Sequence, residues 1–137
     1  MTPSFEEPTA FVLEDEFLIS LELEEALFEN GFRRIKFASD YAEAEAWLGV
    51  HTPTVAILDL VVRGEVRDTV ASLLQARGVP TILHSGAAAD PAFLCGTFAG
   101  LRHIDKPARE HELRNAVALL VAEAAAARGP RSAGLGA

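Results

Sequence analysis

Thr54-Val55-Ala56-Ile57-Leu58-Asp59 is the stretch that decides the fold. An apolar, β-branched run ends without warning in a carboxylate. An unbroken run of this kind reads as a strand buried on both faces of a parallel sheet. A charge is not tolerated inside such a strand unless it is paired. Asp59 is therefore expected at the strand's carboxyl end, where open parallel sheets form their ligand sites.

The same pattern recurs on both sides of that run. A first strand is expected over 10–13, then a helix over 16–30 closed by Gly31. A weaker second strand covers 34–38, and Ser39 or Asp40 caps a helix through Leu48. After the third strand at 54–58, a helix over 65–77 carries Val66, Val70, Leu73 and Leu74 on one face, with Gly78 behind it. A fourth strand spans 79–83. Asp90-Pro91 reads as an N-cap followed by proline at the first helical position, opening a helix to about Phe98. A fifth strand covers 101–104. A last helix starts near Arg109 with Leu113, Val117, Leu120, Val121 and Ala124 as its apolar stripe. Five strand–helix alternations imply an α/β domain with a doubly wound five-stranded parallel sheet and helices on both faces. The flavodoxin-like order 2-1-3-4-5 is expected. An N-terminal arm would occupy 1–9, the domain 10–127 and a mobile Gly/Pro/Ser-containing tail 128–137.

Composition narrows the function. A chain of 137 residues, half of them hydrophobic, can bury one real core. A net charge of −8 without any basic block argues against nucleic-acid binding. Cys95 is alone, so neither a disulfide nor a zinc cluster is available, and a reducing cytoplasmic setting fits. The first residues lack a signal peptide's basic and apolar regions. No apolar stretch reaches the roughly 20 residues of a membrane span.

Four of the strands end in polar residues. Glu14-Asp15 follows the first, Asp59 the third, Ser85-Gly86 the fourth and Lys106-Pro107 the fifth. In a parallel sheet these ends share one edge. Strand order 2-1-3-4-5 crowds Glu14, Asp15 and Asp59 together at the switch point. Three carboxylates in one pocket repel, and a divalent cation relieves them. Oxygen donors with room for water suit Mg²⁺ or Mn²⁺ rather than zinc. Lys106 adds a point charge and Ser85 a hydroxyl, while Gly86 allows a close backbone approach. A carboxylate nucleophile, a metal, a cation and a hydroxyl are the parts needed for phosphoryl transfer to aspartate. Taken singly, each has a plainer reading. The acids could complement a helix N-terminus, Ser85 could cap a turn and Lys106 could be a surface lysine.

With Glu14-Asp15, Asp59 in ILDLVVRGE, Ser85-Gly86 and Lys106-Pro107 in order at successive strand ends, the chain resembles a receiver domain of bacterial two-component response regulators. The likeness runs from about 10 to 124. It implies that Asp59 is the phosphoacceptor, taking its phosphoryl group from a sensor histidine kinase or histidine phosphotransfer protein. It implies Mg²⁺ held by Glu14, Asp15, Asp59 and the backbone carbonyl of Val61. Lys106 and Ser85 would bind phosphoryl oxygens, and Lys106-Pro107 would be cis. Output would pass to a downstream protein by direct contact, from a monomer or weak homodimer. A single-domain regulator is expected, since the chain stops about ten residues after its last helix, and it is expected to be a signalling domain rather than an enzyme.

Some positions depart from that pattern. Val61 replaces a side chain that is often polar in relatives, which predicts slow loss of the phosphoryl group. His103 stands where many relatives carry a rotating aromatic residue. Ala108 is smaller than usual. The first helix shows two apolar sectors, Phe17, Leu21 and Phe28 against Ile19, Leu23 and Ala26, where one would cover the core. The second sector is expected to be a partner surface or to be covered by neighbouring segments. Two other functions remain open. One is a degenerate receiver acting as a constitutive binding module, and the other a small phosphohydrolase with an aspartyl-phosphate intermediate.

Overall fold

In chain order, β1 (Thr9–Leu13), α1 (Phe17–Glu29), β2 (Arg34–Ala38), α2 (Tyr41–Leu48) and β3 (Val55–Leu58) form the first half of the domain. The second half holds α3 (Thr69–Ala76), β4 (Thr81–Ser85), a 3₁₀ turn (Gly96–Gly100), β5 (Arg102–Asp105) and α4 (Glu110–Gly136). The structure is a computed structural model that describes residues 7–86 and 96–136, with side chains through 127. All four ladders are parallel, and the strand order is β2-β1-β3-β4-β5. This is the doubly wound order expected from the alternation.

Alternation within the central strands divides the core in two. Phe11, Leu13, Ala56, Leu58 and Leu83 face one layer, where Tyr41, Leu48, Val70 and Leu74 cover them. Ala10, Val12, Ile57 and Ile82 face the other, under Leu23 and Leu27 of α1 and Leu113, Val117 and Leu120 of α4. Each leucine or isoleucine taken fully out of water contributes about 2 kcal/mol. β3 is buried at every position, which is why its sequence shows no polar alternation.

Two helices differ from the sequence reading, and a third expected helix opens among residues that are not described. α3 begins at Thr69 rather than 65, because residues 62–65 close a tight turn instead. Val62 and Glu65 exchange backbone hydrogen bonds of 2.9 and 3.0 Å, and Arg63 and Gly64 both have positive φ, 54° and 76°. That is the signature of a two-residue hairpin turn, and it takes those residues out of the helix. Val66, expected on the buried face, is consequently exposed. The helix expected to open at Asp90-Pro91 lies outside the described residues, and its expected end at Phe98 falls within the 3₁₀ turn. α4 is helical to Gly136, where the sequence reading places a tail from Gly129.

α2 is capped as its sequence suggests. The Asp40 carboxylate accepts from the Glu43 N–H at 2.7 Å, and Glu43 in turn accepts from the Ser39 N–H at 3.1 Å. On α1 only the sector of Leu23, Ala26 and Leu27 is buried. Phe17, Leu21 and Phe28 are exposed by 73%, 44% and 53%, so no described neighbour covers the second sector.

Candidate functional site

β1 and β3 pair with Leu13 beside Leu58, so the next residues, Glu14 and Asp59, leave the sheet side by side. The ladder continues one step past both strands. Asp59 N–H donates to the Leu13 carbonyl at 2.9 Å, and Glu14 N–H to the Ala38 carbonyl at 3.0 Å. This backbone fixes where the two carboxylates start. Oxygens of Glu14, Asp15 and Asp59 all lie within 4.8 Å of one another. Glu14 and Asp59 are buried, and Asp15 is exposed.

Lys106 enters from the end of β5, where its bond to Pro107 is cis. Its ammonium lies 2.9 Å from Glu14 Oε1 and 2.9 Å from Asp59 Oδ2. One cation thus bridges two buried acids. Burial works against the lysine charge, but hydrogen bonds and attraction from Asp59 and Glu14 outweigh it and raise the lysine pKa. Burial, aided by repulsion from Asp59, pushes Glu14 up to about 7 despite the Lys106 hydrogen bond. Three carboxylates thus face a single lysine cation, an imbalance in the number of groups of each sign. Three hard oxygen donors around that imbalance fit a small divalent cation such as Mg²⁺.

Ser85 closes β4, is buried and pairs in register with Asp105. Gly86 follows it, and a Cβ added there would meet Lys106 Cβ at 3.9 Å. Val61 N–H points to Asp59 Oδ1 at 3.4 Å, a long contact, while its side chain packs partly against the core. His103 stands on β5 beside Leu83, with its Nδ1 3.6 Å from Asp105 Oδ1 and its Nε2 buried without a hydrogen-bond partner among the described residues.

Two residues at the site were not foreseen. Arg63, in the left-handed conformation, donates its backbone N–H to Asp15 Oδ2 at 2.8 Å and its Nε–H to the Ser39 carbonyl at 3.2 Å. Tyr41 is buried under the loop that follows Asp59 and bonds both ends of it. The Gly64 of an Arg-Gly pair was the available signal for the turn. Nothing local in the sequence announces Tyr41. Beside the acids a cleft of about 430 Å³ runs between α1 and the end of β2, lined by Glu14, Asp15, Phe17, Leu21, Glu24 and Phe37 among others.

Neither a protein-family model nor a curated protein matches the chain. Solved structures do. SdrG from Sphingomonas melonis Fr1 is 28% identical, with a TM-score of 0.70 over 84% of this chain and 97% of that one. The receiver domain of the PhyR response regulator from Erythrobacter litoralis is 22% identical, with a TM-score of 0.70 over 86% and 92%. The receiver domain of a sensor histidine kinase from Pseudomonas aeruginosa PAO1, which has magnesium coordinated in its active-site cleft, is 18% identical. Its TM-score is 0.69 over 87% and 98%.

The five-stranded sheet in this order, with Glu14, Asp59, Ser85 and Lys106 at the carboxyl ends of its strands, is the fold these receiver domains share. The chain has the architecture of a response regulator receiver domain. Among the described residues no helix is long and apolar enough to cross a membrane.

Proposed function

We propose that the protein is a phosphorylation switch in which Asp59 accepts a phosphoryl group from the phosphohistidine of a sensor histidine kinase or phosphotransfer protein. The observation that carries this is the convergence on one carboxylate. Asp59 has Glu14 and Asp15 within 4.8 Å and the Lys106 ammonium at 2.9 Å. An Asp59 oxygen attacks phosphorus, the P–N bond of the donor breaks, and the imidazole nitrogen keeps the electron pair. Glu14, Asp15, Asp59 and the Val61 carbonyl would hold Mg²⁺ or Mn²⁺, which when bound neutralises charge on the phosphoryl oxygens. Lys106 exchanges its carboxylate partners for a phosphoryl oxygen, and Ser85 donates its hydroxyl to another. The exposed Phe17, Leu21 and Phe28 of α1 lie on the helix that opens beside these acids, and they form the docking surface for the phosphodonor. Output is a contact with a downstream protein.

The test is incubation with acetyl phosphate and Mg²⁺. An acid-stable, base-labile adduct that Asp59→Asn abolishes is expected. Absence of any adduct, including with histidine-phosphorylated donors, would mean a constitutive binding module. Rapid multiple turnover would mean a phosphohydrolase.

A further inference from the structure

The loop after Asp59 is bonded at both ends to one side chain. The Tyr41 hydroxyl donates to the Leu60 carbonyl at 3.3 Å and accepts from the Arg67 N–H at 3.1 Å. Its ring is 4% exposed, and the Arg67 guanidinium lies 5.3 Å from the ring centroid. Burial raises the phenol pKa, so the hydroxyl keeps the proton it donates to Leu60. Between the two anchored residues lie Val61, next to the Leu60 carbonyl, and Arg63, whose N–H holds Asp15. Tyr41 itself is fixed at the start of α2 by the Asp40 cap. The hydroxyl thus anchors the residue next to Val61, and reaches Asp15 through the same loop by way of the Arg63 N–H.

We infer that Tyr41 is a positioning residue for the divalent cation. Its hydroxyl fixes the 60–67 loop so that Val61 and Asp15 present their oxygens to the ion. This rests on the proposed receiver function and adds to it a residue outside the four strand-end motifs. Partners that orient metal ligands without touching the ion alter affinity by about 10- to 100-fold when removed.

Tyr41→Phe keeps the ring, its packing and the guanidinium contact, and removes only the hydroxyl. Titrating wild type and variant with Mn²⁺ by electron paramagnetic resonance, and with Mg²⁺ in competition, should show affinity weakened about 10-fold in the variant. Phosphorylation by acetyl phosphate at saturating Mg²⁺ should stay within about twofold of wild type, since a positioning role is recovered once the ion is forced in. Val117→Ala, in α4 on the far side of the sheet, serves as a destabilised control and should bind the ion normally. Tyr41 is the only tyrosine of the chain, so tyrosine labelled with carbon-13 at Cζ alone gives a single ring signal. In wild type that signal should shift with the same midpoint as Mg²⁺ binding, a readout that does not depend on the variant folding. Wild-type affinity in Tyr41→Phe, an equal loss in Val117→Ala, or a tyrosine signal unmoved by Mg²⁺ overturns the inference. If the wild type itself binds no divalent ion, the receiver reading fails at that first titration and takes this inference with it.

Discussion

His84 gives the sharpest test of the energetics under the site. It is 2% exposed on β4, beside Ile104 of β5, and among the described residues neither ring nitrogen has a hydrogen-bond partner. Burial, with repulsion from Lys106 and His103, pushes its pKa down to about 4 from 6.5. The imidazole is therefore neutral at pH 7.5, with one donor and one acceptor unmet. Each unmet buried group costs about 1–3 kcal/mol. His84→Leu removes both and adds apolar surface next to Ile82 and Ile104, so unfolding free energy should rise by about 2 kcal/mol at pH 7.5. In acid the contrast grows. Between 6.5 and 4 the unfolded chain carries the proton and the folded chain does not, so stability falls as pH falls through that window. From pH 7.5 to pH 4.5 this group alone should cost the wild type between about 2 and 3 kcal/mol that His84→Leu does not lose. Glu14, whose raised pKa works in the opposite sense, is present in both proteins and cancels in the comparison. Urea unfolding at the two pH values can be followed by the single tryptophan, Trp47, stacked between Phe11 and His51. A variant no more stable at pH 7.5, or two parallel pH profiles, would refute the orphaned-imidazole argument.

Three further outcomes are expected. Lys106→Met leaves Glu14 and Asp59 facing each other without their shared cation, so urea unfolding at pH 8 should show a loss of about 3–5 kcal/mol. That loss should shrink toward pH 5, where Glu14 takes up a proton. Val61→Asn supplies a polar group beside Asp59, where valine cannot orient an attacking water. The half-life of the Asp59 phosphoryl group, followed by loss of the base-labile adduct, should shorten severalfold, and an unchanged half-life would remove Val61 from the account. Leu21→Glu with Phe28→Glu should slow transfer from a phosphohistidine donor by about 10-fold or more, if the pair behaves as a buried interface anchor. Labelling by acetyl phosphate should remain the same, and a wild-type rate of transfer from the phosphohistidine donor would leave the α1 stripe without a docking role.

The parts of this site that were legible in the sequence ride on strands. Glu14, Asp59 and Lys106 each follow an apolar run, and a parallel ladder sets consecutive strand ends side by side. Local pattern plus strand order was therefore enough to bring them together, as the Leu13–Leu58 register and the two 2.9 Å contacts of Lys106 bear out. α3 was misread at its start for the converse reason. Arg63 must adopt positive φ, which a non-glycine residue does only where its surroundings favour it. The bonds holding it there join Arg63 to Asp15 and Ser39, 48 and 24 residues away. Tyr41 was invisible on the same grounds, since its bonds to Leu60 and Arg67 span 19 and 26 residues and follow no period. Sequence pattern thus located the charges, while the loop carrying Val61 is set by contacts that only the folded chain makes. The two sets of residues should separate on mutation. Under the proposed function, changes at strand-end residues such as Asp59 should abolish phosphoryl uptake, whereas changes in the loop should alter metal affinity and phosphoryl lifetime.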